Sequence, residues 1–312
     1  MLQAVKKRLR KYKALRKTYK VAKRGKIKTG CFVSSLLAHR ENPDEGAITL
    51  SVVAIIINEA PYIEEWIRYH QMVGVERFYL FDNGSTDDTL QIVQKYVENG
   101  LVVLTHYPGK GMQLSAYNRA LKKYRYQTRY MAFIDADEFL YSCEKERSVR
   151  QQVEDLFALY PEAGGLALNW RMFGSSGHLT KPEGGVLENY LYRANEDGKG
   201  NGCIKSIVDP RRVYKYTHSH YPTYYRGYYS VDEDGQKVIG WSHPKTTIRK
   251  LRINHYFTKS REEWIERRSK GRVDGKDNDE RSIEVFQEYD NNDIYDDGMR
   301  VFAEALKGPM RS

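Results

Sequence analysis

The feature that most constrains this chain is an alternation between residues 48 and 134 of short apolar runs with longer amphipathic stretches. The run ITLSVVAIII at 48 to 57 opens it, with a buried strand expected at 50 to 57. Further strands are expected at 77 to 81, 101 to 105 and 129 to 134, and helices near 61 to 73, 87 to 98 and 112 to 126. Such a βαβαβαβ series implies an α/β fold. A Rossmann-like, mostly parallel sheet would be flanked by helices, with its ligand site beyond the carboxyl ends of the strands. The polar residues collect at those ends: Asn58 and Glu59 after the first strand, Asp82 and Asn83 after the second, Lys110 after the third, and Asp135 and Asp137 after the fourth. They are expected to converge on one crevice.

Beyond residue 145 the pattern loosens. A helix is expected near 148 to 159 and a strand, GGLALNWRMF, at 164 to 173; short strands and loops rich in Tyr, His and Gly follow through 257. A helix resumes at 260 to 270, where Ser260 as N-cap and Glu263 three residues on form a capping-box pattern. Residues 271 to 298, dominated by Asp, Asn, Glu and Gly, read as mobile. The chain of 312 residues thus divides into a basic tail and linker (1–46), a regular α/β half expected to carry the ligand crevice (47–145), an elaborated second half (146–271) and a polar C-terminal extension (272–312).

The formal charge of +10 resembles a nucleic-acid signal until it is located. Residues 1 to 30 hold thirteen Lys and Arg and no acid, which leaves 38 basic against 41 acidic residues in the body. Nucleic acid is therefore not the expected partner. In the tail, Leu2, Val5, Leu9, Tyr12, Leu15, Tyr19 and Ala22 recur every three or four residues, the narrow apolar stripe of a cationic helix suited to an anionic membrane surface. A solvated or partner-bound extension is the alternative. No run is long enough to span a bilayer and no signal-peptide core precedes the body. Cys31, Cys143 and Cys203 show no paired metal spacing and read as reduced thiols. Together these point to a cytoplasmic protein, peripheral at the inner face of the membrane if the tail engages it.

The segment RYMAFIDADEFLY at 129 to 141 places Asp135 and Asp137 directly after a buried strand. Hard divalent ions take oxygen ligands, and a departing diphosphate needs its charge neutralised, so Mn2+ or Mg2+ is expected here. Asp82, at the tip of the strand in FDNGSTDDT, either accepts the imide hydrogen of uracil or braces its own turn. Asn58 and Glu59 are candidates for positioning the nucleotide. In GKGMQLSAYNRAL, at 109 to 121, Lys110 and Gln113 are possible phosphate or sugar contacts, but no P-loop ending follows. Lys205, Arg211 and Arg212 offer cations for a diphosphate or an anionic acceptor. Trp170, Trp241 and the TYYRGYY cluster at 223 to 229 offer rings for sugar stacking or core packing.

With NWRMFGSSGH (169–178), KSIVDPRRV (205–213), HSHYPTY (218–224) and INHYFTKSREEW (253–264), the region from about 50 to 270 resembles glycosyltransferase family 92; its first half also resembles family 2. The resemblance implies a GT-A fold and an inverting, metal-dependent transfer from a nucleotide sugar, often a UDP-hexose such as UDP-galactose, to a saccharide or glycolipid acceptor. It also implies that His255 is the late metal or diphosphate ligand. Surface polysaccharide or lipopolysaccharide assembly is the expected setting. Inversion needs a base facing the acceptor hydroxyl, for which Glu183 and His178 are the first candidates, with Asp209 and Glu138 as alternatives. Two other readings compete. A sugar nucleotidyltransferase would carry a glycine-rich basic loop where this chain has INEAPYIEE, and a non-catalytic carbohydrate-binding protein would need no metal at Asp137.

Overall fold

The computed structural model describes residues 25, 27–30, 48–243, 245, 247–269 and 282–308. Most of the basic tail, its apolar stripe and Cys31 lie outside the described residues. Among those described, no helix is long and apolar enough to cross a membrane.

The expected alternation is present: β1 (Ile48–Ile56), α1 (Ile63–Met72), β2 (Arg77–Asp82), α2 (Thr89–Glu98), β3 (Val102–His106), α3 (Gln113–Tyr124) and β4 (Thr128–Phe133). β1 pairs in parallel with both β2 and β4, and β2 pairs in parallel with β3. The chain steps outward from β1 to β3 and then returns to the far side of β1 for β4. This reversal between β1 and β4 is the topological switch point, where a crevice opens at the carboxyl ends. β1 is apolar along its length because both faces are covered. Val52, Ala54 and Ile56 pack with Trp66 and Ile67 of α1, whereas Val53 and Ile55 pack with Tyr117, Ala120 and Leu121 of α3.

The second half extends this sheet and adds strands that the sequence pattern hides. They follow as β5 (Glu138–Ser142), α4 (Val149–Leu159), β6 (Ala163–Met172), α5 (Val186–Asn189), β7 (Tyr192–Arg193), β8 (Ile204–Val208), β9 (Val213–Tyr216), β10 (Pro222–Tyr224), β11 (Tyr229–Val231), β12 (Lys237–Val238) and β13 (Leu251–His255). The main path runs β12-β11-β6-β8-β4-β1-β2-β3, with β8 antiparallel between β4 and β6. β13 joins β6 in parallel and β5 in antiparallel register, which sets His255 opposite Glu138. The helix α6 (Arg261–Ser269) begins as expected. Ser260 Oγ donates to Glu263 Oε2 at 2.6 Å and accepts from the Glu263 amide at 3.3 Å, while Glu263 Oε2 also accepts from the Ser260 amide at 3.2 Å.

Of residues 271 to 298, expected to be mobile, 271 to 281 lie outside the described residues, and the remainder is built into the fold. The described C-terminal part carries α7 (Ile283–Tyr289), β14 (Ile294–Tyr295) and then α8 (Arg300–Leu306). Phe286 lies against Trp264, Asp296 accepts from Arg193 and Arg252 at 2.8 Å each, and Met299 and Ala303 enter the main core. A few buried anchors hold a segment whose average composition is polar.

Candidate active site at the strand ends

The turn from β4 to β5 directs its two aspartates to different partners. Asp135 Oδ2 accepts from Lys205 Nζ at 2.7 Å, and its Oδ1 accepts from Gln113 Nε2 at 2.8 Å and Tyr117 Oη at 3.3 Å. Lys205, delivered by β8, is 1% exposed. Burial works against its charge, but Asp135 and Glu138 hold the ammonium well above the usual lysine range. Glu138 is fully buried and accepts the Asp135 amide at 3.0 Å. Burial pushes its carboxyl well above the usual range against the pull of Lys205.

Asp137 faces the opposite way. Its Oδ1 is 3.5 Å from His255 Nε2, and its Oδ2 accepts from Arg267 of α6 at 2.7 Å. Burial opposes ionisation, yet Arg267 and His255 hold the Asp137 carboxyl well below the usual range. The pairing of β5 with β13 makes this contact possible, and the Tyr256 amide donates to the Asp137 carbonyl at 2.9 Å to fix it. Trp170 packs on His255 with centroids 4.3 Å apart, while among the described residues His255 Nδ1 is buried without a hydrogen bond. Arg267 escaped the sequence reading; its only local signal is that it lies four residues after Glu263 on the same helix.

Among the described residues no group of three or more His, Cys, Asp or Glu is placed to hold a metal ion. Asp137 and His255 nevertheless bring one carboxylate oxygen and one imidazole nitrogen within 3.5 Å of each other. A six-coordinate ion commonly takes one or two protein ligands and completes its shell with phosphate oxygens and water, so this pair fits such an ion.

Nearer β1 and β2, the candidates brace the crevice. Asn58, at φ 53°, accepts from the Thr86 amide at 2.7 Å and the Asp87 amide at 3.3 Å. Asp82 is 1% exposed and accepts from the amides of Ser85 at 2.9 Å and Gly84 at 3.2 Å and from His106 at 3.1 Å. These bonds show Asp82 bracing its own turn, the second of the two roles expected of it. Asn83 donates to the carbonyls of Tyr107 and Gly109, at 2.9 Å each. Glu59 lies close enough to Lys259 and Arg267 to act on their charges. Lys110 is exposed, and Gln113 is engaged with Asp135.

Of the base candidates, Glu138 lies at these strand ends, fully buried, whereas Glu183, His178 and Asp209 make their contacts elsewhere. Glu183 is exposed in a cleft bordered by Glu188, Arg300, Glu304 and Lys307. His178 Nε2 lies 3.2 Å from the Asn189 carbonyl, and its ring sits edge-on to Tyr190. Asp209 is held by Arg211 at 2.7 Å and Arg212 at 3.0 Å, which also engages those two cations. In the tyrosine cluster, Tyr224 packs structurally over Gly164, where an added Cβ would stand 2.5 Å from its ring. Trp241 is half exposed.

A mostly parallel α/β sheet with an acidic, cation-flanked crevice at its switch point defines the class. Within it, the model of glycosyltransferase family 92 matches residues 50–289, and the chain belongs to that family. A family 92 protein of Oryza sativa subsp. japonica is 30% identical over 166 residues, 53% of this chain and 27% of that protein. A galactan beta-1,4-galactosyltransferase of Arabidopsis thaliana is 31% identical over 105 residues, 30% of this chain and 21% of that protein. The chain thus spans less than a third of the length of the curated relatives it matches. Among solved structures, residues 1–349 of S. aureus TarS in complex with UDP align at 18% identity and a TM-score of 0.35, covering 59% of this chain and 60% of that one.

Proposed function

We propose that this chain is a metal-dependent, inverting glycosyltransferase that moves a hexose from a uridine nucleotide sugar to a saccharide acceptor. The observation that carries the reading is the Asp137–His255 pair, set beside Arg267 at the carboxyl end of the sheet. Bound Mn2+ or Mg2+ would be held by Asp137 Oδ1 and His255 Nε2 and would neutralise charge on the diphosphate leaving group. Arg267 keeps Asp137 ionised and oriented. Lys205 engages Asp135, which leaves Asp135 to position the nucleotide rather than to face His255. Asn58 and Asn83 hold the loops that would border the nucleoside. The galactan galactosyltransferases among the relatives favour galactose as the sugar and a polysaccharide as the acceptor.

Titration calorimetry with UDP, GDP and CDP, each with Mn2+ or EDTA, tests the reading. UDP binding strengthened by Mn2+, with GDP and CDP weak, is the expected result. Absence of nucleotide binding under every condition would favour a carbohydrate-binding protein instead.

A further inference from the structure

Lys259 is left unexplained by the contacts described so far. It is 4% exposed, and among the described residues its ammonium forms neither a salt bridge nor a hydrogen bond. It rests on the face of Tyr62, 4.3 Å from the ring centroid. The acids nearest in effect are Glu59, Asp137 and Glu263. Asp137 is occupied by Arg267, and Glu263 accepts from Tyr62 at 2.7 Å, Tyr190 at 2.5 Å and Ser260 at 2.6 Å. A buried ammonium without a paired anion is unfavourable and is expected where a ligand supplies the missing charge.

The backbone carries a second unfavourable feature at the same residue. Lys259 has φ 52°, a left-handed conformation that lysine gains nothing from. It is fixed from both sides: the Tyr256 amide is bonded to the Asp137 carbonyl, and Ser260 caps α6. The turn therefore holds the lysine at a set position relative to the Asp137–His255 pair and Arg267. Strain and an unpaired charge at one residue mark a site built for binding.

We propose that Lys259, together with Arg267, is a preformed anion seat that receives the diphosphate of the nucleotide sugar without requiring a divalent ion. The proposal rests on the nucleotide-sugar reading and adds the group that first captures the donor. A diphosphate gives Lys259 the direct ion pair that it lacks among the described residues, and it leaves the Asp137–His255 pair free to take an ion afterwards. Charge capture by the protein then precedes ion binding rather than depending on it.

The test uses the full chain in EDTA, with UDP, inorganic pyrophosphate and uridine as probes, followed by thermal shift and calorimetry. In the unsubstituted protein, UDP and pyrophosphate raise the melting temperature and uridine does not. Lys259→Met lowers UDP affinity in EDTA at least tenfold, while the free variant melts no lower than the parent because an uncompensated charge is gone. Unchanged UDP affinity in the variant overturns the proposal, as does a lower melting temperature with binding retained. If the variant does not fold, the pyrophosphate shift of the unsubstituted protein in EDTA decides, and its absence overturns the seat. UDP binding that requires Mn2+ and is equal in both proteins removes Lys259 but leaves the glycosyltransferase reading intact; no UDP binding with either Mn2+ or EDTA removes that reading as well.

Discussion

Lys205 Nζ lies 2.7 Å from Asp135 Oδ2 and 3.6 Å from Glu138 Oε2, so one buried cation serves two carboxylates at the end of β4. Its partners are unequal, since Asp135 is partly exposed and Glu138 is sealed. The strand end is therefore cross-linked by its own ion pairs.

Lys205→Met removes that cation and leaves two acids facing each other. Breaking a buried pair in this way costs about 3–5 kcal/mol, and the loss is expected to depend on pH. Burial already favours the neutral form of Glu138, whose folded pKa is raised, so its contribution is present at low pH and is lost as pH rises. Urea midpoints of the variant at pH 5 and pH 8 check this: the deficit relative to the parent should be larger at pH 8.

Glu263→Ala should be among the more damaging single changes outside the strand ends. It strips the acceptor from Tyr62, Tyr190 and Ser260 at once and removes one acid near Lys259. Several buried donors left unsatisfied, at about 1–3 kcal/mol each, predict a loss of at least about 3 kcal/mol by chemical denaturation. A loss below about 1 kcal/mol would show that the hub contributes little to holding α6.

The first half of the fold is legible in the sequence because its signals are local. Mostly apolar strands of five to nine residues alternate with amphipathic helices, and Ser260 with Glu263 marks a helix start three residues apart. The partners of the acidic turn are not local. Lys205 arrives on an antiparallel strand seventy positions after Asp135, Arg267 on a helix 130 positions after Asp137, and His255 on a strand whose register is fixed by pairing with β5 and β6. Composition also misleads: Asp82 looks like a free strand-end acid, but the turn it closes consumes it, and the polar C-terminal segment hides Phe286 and Met299. His255 came from the family resemblance rather than from periodicity, since a lone histidine at a strand end carries no spacing signal.

His70 supplies a pH dependence independent of the site. It is fully buried in α1, donates through Nδ1 to the Trp66 carbonyl at 2.8 Å, and accepts the Leu140 amide at Nε2, 3.2 Å away. Burial holds its pKa down to about 3, against an ordinary value of 6.5. The folded state thus binds fewer protons than the unfolded chain between those values, and stability is complete above pH 6.5 and falls as pH drops toward 3. The slope approaches about 1.4 kcal/mol per pH unit. His70→Gln should flatten the slope of unfolding free energy between pH 6 and pH 4.5 relative to the parent, and unchanged slopes would place the lost protons elsewhere.

Asp137 and His255 make the sharpest prediction, because their chemistry separates a ligand pair from a structural one. Asp137→Asn keeps the shape but removes the charge, and it leaves Arg267 without its carboxylate partner. His255→Ala removes the imidazole and opens space beside Trp170. Both variants lose stability whether or not an ion binds there, so melting temperature alone decides nothing. The discriminating quantity is the ratio of UDP affinity with Mn2+ to that with EDTA, measured for each folded variant. If the pair holds the ion, that ratio collapses toward one in both variants, by at least about tenfold, the equivalent of about 1.4 kcal/mol. If the pair is structural only, affinities fall in both conditions together and the ratio is preserved.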